Sequence, residues 1–290
     1  RANLKKNAAL ASYNIQCMQE FLEQHPFDYC ASSLGVMKVI QKEQDMEKEI
    51  ASMSFYKSVG IQNEVLNQAE IFSKEPALIE NGQNLIGGIY FPGDQAGDAY
   101  QFCVQLTDLL RKKNVQFEYD LTVDEFLTSN NVITAIKTSK GEYSGDSYVL
   151  AAGSYSPLLT KKLGLNIPIR PVKGYSITLD MSDWEAKPLM PIIDDEAHVA
   201  ITPLGNQLRA AGTAELNGYK DEINQYRIQL VLDQVINRYP EAKKHINYEE
   251  INSWCGFRPI TVDGVPIIGD APTYKNLYLN TGHGHLGWTL

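Results

Sequence analysis

Three glycines near the end of the sequence are the first residues whose spacing points to chemistry. Gly282, Gly284 and Gly287 satisfy the pattern G-x-G-x-x-G, which binds the pyrophosphate of a dinucleotide when it connects a strand to a helix. Only three residues follow Gly287, so no helix completes the pattern, and it occurs nowhere else in the chain. The stretch is then either a tight turn or a glycine-rich loop whose backbone amides approach a flat ring closely.

Arg258 and a histidine pair are the side chains of this region that could bind a ligand. A guanidinium binds a carboxylate through two parallel charge-assisted hydrogen bonds, so Arg258 either holds a carboxylate ligand or forms a buried salt bridge with a residue such as Asp263. His283 and His285 form an H-x-H pair, but a metal site needs further ligands, and we predict no metal. No Ser-His-Asp set, carboxylate pair or phosphate-binding loop is visible, which argues against hydrolase and kinase chemistry.

The composition is that of a folded protein without a nucleic-acid partner. The chain has 290 residues, 43% of them hydrophobic, and a formal net charge of -9, whereas phosphate binding needs clustered Lys and Arg. Its four cysteines are scattered, which is typical of free thiols in a reducing compartment. No apolar run reaches the roughly 18 residues that cross a bilayer. We expect a cytoplasmic protein and leave open peripheral attachment to the inner face of a bacterial membrane.

Apolar spacing predicts alternating helices and strands. Apolar residues from Leu4 to Leu22 recur at intervals of four and three, which predicts a helix with a core-facing stripe. Asp98 is a suitable N-cap for another helix, and a strand is predicted over Val115 to Tyr119. Tyr148 to Ala152 is apolar on both faces, as in a buried parallel strand. Further predicted elements are β segments between Arg170 and Ala211, a helix from Asp221 to Arg238, and a strand from Asn276 to Asn280.

Several longer stretches resemble a known family. The run WCGFRPITVDGVPIIG from Trp254, the strand NLYLN and the end TGHGHLGWT resemble the C-terminal signature of FAD-dependent amine oxidoreductases of the D-amino acid oxidase superfamily. GGIYFPGDQAGD, AAGSYSPLL and IPIRPVKGYSIT are similar to its dehydrogenase-like branch. The resemblance implies a mixed α/β fold in which a partial FAD-binding Rossmann-like domain is interleaved with a β-sheet-rich substrate-binding domain. The implied substrate domain consists of residues 1–90, which include the first helix, and residues 166–255. The implied FAD-binding domain consists of residues 91–165 and 256–290.

The resemblance also assigns site residues. It implies FAD as the cofactor and places Arg258 on the substrate carboxylate, with His285 also at the substrate. Tyr175 either donates its hydroxyl to that carboxylate or packs in the sheet. No side-chain base is obligatory, so no catalytic residue is predicted. The implied FAD contacts are Val123 on the adenine side, Ala152 and Gly153 beside the dinucleotide, and Gly284, His285, Leu286, Gly287 and Thr289 at the flavin, largely through backbone amides.

The implied reaction is oxidative deamination of an amino acid, expected to be a D-amino acid, to a 2-oxo acid and ammonia. Hydride would pass to flavin N5, and the electrons would go on to a quinone or another acceptor. Two alternatives stay open: a flavin oxidase for glycine, sarcosine or proline, and a folded binding module without catalysis. Family members begin with a phosphate-binding glycine loop and continue past the flavin loop with a helix. We therefore expect this sequence to be an internal fragment whose FAD site is incomplete.

Overall fold

The fold is mixed α/β, as predicted. The computed structural model describes residues 2–248 and 251–290. Within these residues the α-helices are α1 (Ala2–Gln24), α2 (Glu43–Ser58), α3 (Gln68–Lys74), α4 (Ala99–Lys112), α5 (Ser156–Lys162), α6 (Gln225–Arg238) and α7 (Ala242–His245). The strands are β1 (Val36–Ile40), β2 (Glu64–Asn67), β3 (Gly87–Phe91), β4 (Val123–Ser129), β5 (Val132–Thr138), β6 (Gly141–Tyr143), β7 (Tyr148–Leu150), β8 (Ile169–Asp180), β9 (Ile192–Asp194), β10 (Val199–Leu204), β11 (Gln207–Glu215), β12 (Asn252–Thr261), β13 (Ile267–Asp270) and β14 (Leu277–Thr281).

An eight-stranded sheet forms the largest layer, in the order β12-β8-β11-β10-β9-β1-β3-β2. Its neighbours are antiparallel except for β1 and β9, which run parallel. The sheet collects strands from two separated parts of the chain, 36–91 and 169–261, which is the interleaving that the sequence predicted. The boundaries that we predicted at 90, 165 and 255 stay predictions.

One face of the large sheet is sealed by α6. Asn224 caps this helix by accepting a hydrogen bond from the amide of Tyr226. Ile228, Val231, Leu232 and Val235 are spaced to lie on one side of the helix and are buried. They pack against a core that includes Tyr175, Ile177, Leu208 and Ile201. Because successive strand residues point to opposite faces, Ser176, Arg209 and Trp254 lie on the other, more open face.

A smaller sheet has the order β13-β14-β7, and β14 runs parallel to β7. The parallel strand predicted over Tyr148 to Ala152 is therefore confirmed, although it ends at Leu150. Leu150, Leu277 and Leu279 are buried on the inner face. Val149 is 65% exposed on the outer face, contrary to the predicted burial of both faces. The described residues supply a covering layer for only one side.

The helix predicted after Asp98 is confirmed, whereas the strand predicted after that helix is not. Asp98 accepts hydrogen bonds from the amides of Tyr100 and Gln101 at the start of α4. Residues 115–119 have no strand assignment. A β-strand needs a neighbouring backbone to pair with, and among the described residues none lies beside this segment. Phe117 and Tyr119 instead stack on each other next to Arg111.

The first helix is present, but its predicted core-facing stripe is wrong. Leu4 is 57% exposed and none of the residues of α1 is buried. The helix lies on the surface; Asn3 and Asn7 in its first half donate to the carbonyls of Asp263 and Gly264, and Phe21 in its second half packs against Phe27 and Phe102. Of the helices in the described part of the chain, none combines the length and apolar composition needed to cross a bilayer.

A buried ion pair connects the sheet to the end of α6. The carboxylate of Asp194 in β9 lies 2.7 Å from Nε and 2.5 Å from Nη2 of Arg238. Both side chains are almost fully buried, at 1% and 7% exposure. Asp194 also accepts a hydrogen bond from the amide of Ala197, which fixes the loop between β9 and β10.

We predict that Asp194→Ala lowers the free energy of unfolding by about 3–5 kcal/mol, because it leaves the charge of Arg238 buried without its partner. Urea denaturation measures the effect. Asp233→Ala, which removes an exposed carboxylate from α6, is the control and should cost less than about 0.5 kcal/mol. A loss below about 1 kcal/mol in Asp194→Ala would show that water reaches the guanidinium.

Candidate active site

The glycine-rich loop is held against the last strand of the large sheet. The amide of Gly284 donates to the carbonyl of Pro259 at 3.0 Å, and His283 forms an antiparallel bridge with Ile260. Gly282 and Gly284 have φ angles of +81° and +61°. This left-handed region favours glycine, so the loop can turn back on β12 at these two positions.

The segment after β7 lies beside the same loop. The hydroxyl of Thr281 donates to the carbonyl of Gly153 at 3.1 Å, and its oxygen lies 3.0 Å from Oγ of Ser156. Because β7 and β14 are parallel, their carboxyl ends meet at one edge of the sheet. The structure thus brings Gly153 beside the loop that begins at Gly282, and the FAD contacts implied for Ala152 and Gly153 stay predictions.

Arg258 is held in place on β12 without a carboxylate partner among the described residues. Its Nη1 donates to the carbonyl of Thr213 at 2.8 Å. Its guanidinium lies over Gly174, where a Cβ atom would overlap it. The alternative of a salt bridge with Asp263 is wrong, because the carboxylate of Asp263 accepts from Asn3 and from the amide of Val265. Arg258 therefore keeps a free cationic surface for a ligand.

The pKa values of both histidines of the loop are lowered. Burial lowers the pKa of His283 below its ordinary value. Burial also lowers the pKa of His285, and the nearby charge of Arg258 lowers it further. The loop and Arg258 lie at one site, because the amide of Gly284 is bonded to Pro259, the residue that follows Arg258. No cluster of metal-ligating side chains is found among the residues that the structure describes.

Tyr175 packs in the core, which is the second of the two alternatives considered for it. It is 1% exposed, and its hydroxyl donates to the carboxylate of Glu215. Gly174 faces Arg258, and successive residues of a strand face opposite sides, so the ring of Tyr175 points toward α6. The geometry does not bring it to the guanidinium. Val123 begins β4 in a different sheet, and its contact with the adenine side of FAD stays a prediction.

A cavity of about 640 Å³ opens beside the guanidinium. We call it the arginine cavity; its lining includes Arg258, Thr213, Arg227, His198, Ala211 and Val231. Thr213 and His198 have φ angles of +57° and +52°, and the amide of Thr213 donates to the carbonyl of His198. Positive φ is unusual for a β-branched residue and is frequent at binding sites.

Two residues of this site, Thr213 and Gly174, were not among those predicted from the sequence. The residue types around Thr213 do not predict its positive φ angle. Gly174 did carry a signal, because a glycine inside a strand often marks a close approach of another group.

Similarity to known proteins shows the family of this chain. A profile described as FAD dependent oxidoreductase matches residues 2–290. The chain is 36% identical over 290 residues to a D-amino acid dehydrogenase of Vibrio cholerae, covering all of this chain and 68% of that protein. A protein of the same name from Granulibacter bethesdensis is 37% identical over 289 residues, covering 99% of this chain and 68% of the relative.

The chain belongs to the FAD-dependent oxidoreductase family. FAD is therefore its cofactor, and it is an oxidoreductase. Solved structures share the fold: glycine oxidase from Bacillus cereus superposes with a TM-score of 0.83 at 22% identity, covering 98% of this chain and 76% of the other. L-proline dehydrogenase from P. horikoshii gives 0.83 at 17% identity, covering 97% and 74%.

The edge formed by the loop and Gly153 fits the flavin of this FAD-dependent family. A Cβ atom at Gly287 would meet only Cβ of His283 at 3.9 Å, and one at Gly153 would meet only Cγ of Pro259 at 4.0 Å. The backbone is thus open at both positions, as close approach of a planar ring requires.

The turn itself uses several of the amides that were expected to bind flavin. The amide of Leu286 donates to His283 and that of Thr289 donates to Leu286, while that of Gly284 is bonded to β12. Within the described residues, the amides of His285 and Gly287 have no hydrogen-bond partner. Of the five amides expected to contact flavin, those of His285 and Gly287 are therefore free to donate to it, and all five contacts stay predictions.

We predict that Gly174→Ala displaces the guanidinium of Arg258 and breaks its hydrogen bond to Thr213, because the new methyl group occupies the same space. Overpacking of this kind costs about 1–3 kcal/mol, which lowers Tm by a few degrees. A crystal structure and a melting curve of the variant measure both effects. Gly145→Ala adds a methyl group where the nearest atom lies at 3.7 Å and is the control. An unmoved Arg258 in Gly174→Ala would contradict the prediction.

Proposed function

We propose that this protein oxidises an amino acid, with the D isomer as its substrate, to an imino acid that hydrolyses to a 2-oxo acid and ammonia. The observation that carries this proposal is Arg258, whose guanidinium is fixed beside the flavin loop and has no carboxylate partner among the described residues. A half-buried guanidinium of this kind matches the carboxylate of an amino acid in shape and charge.

The residues of the chain bind and orient the substrate. In the proposed reaction the Cα–H bond and one N–H bond of the amine break and a C=N bond forms; bound FAD would supply the acceptor for the hydride, and the proton from nitrogen would pass to solvent water. Arg258 holds the carboxylate, so the α-carbon is fixed relative to the loop from Gly282 to Gly287. The lowered pKa of His285 disfavours a second cation that would compete with the guanidinium for the carboxylate. Water then adds to the C=N bond after release.

The relatives support the stereochemistry and the acceptor that we propose. The two relatives at 36% and 37% identity are called D-amino acid dehydrogenases, and the chain covers 68% of each. A dehydrogenase passes electrons to an acceptor other than oxygen, and we propose a quinone, which would bring the protein to a membrane surface from the cytoplasmic side. Glycine oxidase and L-proline dehydrogenase are below 25% identity and support the fold alone.

We predict that Arg258→Met lowers kcat/KM for D-amino acids roughly ten- to a hundredfold, because a charge-assisted hydrogen bond contributes about 1.5–3 kcal/mol. The assay uses the full-length, FAD-loaded protein with a soluble quinone analogue, and absorbance of bound flavin shows that the cofactor is retained. Arg111→Met, on the surface of α4, is the control. Unchanged kcat/KM in Arg258→Met would remove this residue from the substrate site.

We also predict that Gly287→Val lowers FAD content at least about tenfold more than Trp288→Phe, because its side chain enters the space proposed for the ring. The folded chain itself has room at Gly287, so the urea midpoint of the cofactor-free protein should not change. Equal flavin occupancy in the two variants would mean that the loop is only a turn. In that case the alternative of a binding module without catalysis would gain support.

A further inference from the structure

Two arginines that line the arginine cavity donate hydrogen bonds to the carbonyl groups of consecutive residues. Arg258 donates from Nη1 to the carbonyl of Thr213 at 2.8 Å, and Arg227 donates from Nη1 to the carbonyl of Ala214 at 3.1 Å. Both side chains line the cavity. Arg227 comes from α6 and Arg258 from β12, so two separate elements deliver their guanidinium groups to the same short stretch of β11.

An irregularity in β11 makes these carbonyls available. Gly212 pairs with Tyr175 and Glu215 pairs with Lys173, so Thr213 and Ala214 have no partner residues on β8. The left-handed backbone of Thr213 produces this bulge. Carbonyl groups that leave a sheet ladder need other donors. The two guanidinium groups supply them and are thereby fixed at the cavity wall.

The cationic charge of this pair is only partly compensated. Nε of Arg227 lies 3.8 Å from the carboxylate of Glu215. That carboxylate is shared, because it lies 3.2 Å from Nζ of the buried Lys173 and accepts the hydroxyl of Tyr175. Arg258 has no carboxylate partner among the described residues. Lys173 and Arg227 thus share one carboxylate, and among the described residues Arg258 faces none.

The two aspartates in the cavity lining are already paired. Asp194 forms the buried ion pair with Arg238, and Asp195 forms an ion pair with Lys38. Neither offsets the charge of Arg227 and Arg258. The lining of the cavity also includes the small side chains of Ala200, Ala211 and Ala214, and its volume of about 640 Å³ leaves room for a ligand that contacts both guanidinium groups.

We infer that the arginine cavity binds a second carboxylate, and that the preferred substrates are amino acids with an acidic side chain. Arg258 holds the α-carboxylate and Arg227 holds the side-chain carboxylate. The inference rests on the proposed function for the role of Arg258, and it adds the substrate class and a residue that determines specificity.

The test compares substrates that differ in charge but hardly in shape. In the FAD-loaded protein, kcat/KM for D-glutamate should exceed that for D-glutamine at least about tenfold, since hydrogen bonds to charged partners are stronger than neutral ones. Arg227→Gln should lower the D-glutamate value about ten- to a hundredfold and the D-glutamine value less than about threefold. Arg227→Lys should restore part of the difference. Arg209→Gln removes an arginine from the same sheet outside the cavity and is the matched control.

Ligand binding gives a second readout that does not depend on turnover. Calorimetry should show that Arg227→Gln weakens binding of glutarate, which has two carboxylates, about tenfold or more and leaves binding of butyrate unchanged. Circular dichroism confirms that the variant is folded, and Arg227→Lys reports on the charge if Arg227→Gln fails to fold.

The outcomes separate this inference from the proposed function. Equal losses for D-glutamate and D-glutamine in Arg227→Gln, or a preference of the native protein for D-lysine, would overturn the inference and leave the proposed function standing. Unchanged turnover of every amino acid in Arg258→Met would overturn the proposed function. Loss of glutarate binding in Arg227→Gln would still support a dicarboxylate site in that case.

Discussion

Ten consecutive residue pairs join β8 to β12, and the geometry of the site depends on this antiparallel contact. Opposite residues of an antiparallel pair lie on the same face, so Gly256 stands beside Gly174 and Arg258 beside Val172. With no side chain at Gly174, the guanidinium of Arg258 can lie flat on the sheet. The same strand then receives the amide of Gly284 on Pro259, one residue further on.

This arrangement makes one strand responsible for two functions. β12 presents the cation that we propose for the substrate and also anchors the loop that we propose for the flavin. A hydrogen-bonded sheet is stiff compared with a loop, so the distance between the two groups is fixed by backbone pairing and does not depend on flexible side chains. The bulge at Thr213 adds the remaining constraint, because its carbonyl orients the guanidinium from the neighbouring part of the sheet.

Burial without compensation recurs around the site. Burial lowers the pKa values of His283 and His285 and so disfavours their charged forms, whereas Arg258 keeps its permanent charge although burial lowers its pKa. Guanidinium groups stay protonated even when partly desolvated. Among these three side chains, only the guanidinium of Arg258 then carries a permanent charge beside the loop. Its positive charge favours binding of an anionic ligand group and disfavours a cationic one.

Local patterns in the sequence were sufficient to predict several elements of the fold. The cap at Asp98, the amphipathic α6 and the parallel strand before Gly153 follow from spacing and residue type, because each depends on neighbours along the chain. The resemblance of the motifs identified the family and drew attention to Arg258.

Only the tertiary structure decided which groups meet. The positive φ of Thr213, the sharing of its carbonyl region by Arg227 and Arg258, and the inward packing of Tyr175 depend on contacts between strands far apart in sequence. The strand predicted over residues 115–119 is absent for the same reason, since propensity alone cannot provide a pairing partner. The spacing of side chains determines which secondary structure a segment prefers, whereas strand pairing and packing decide which structure it adopts and which residues it contacts.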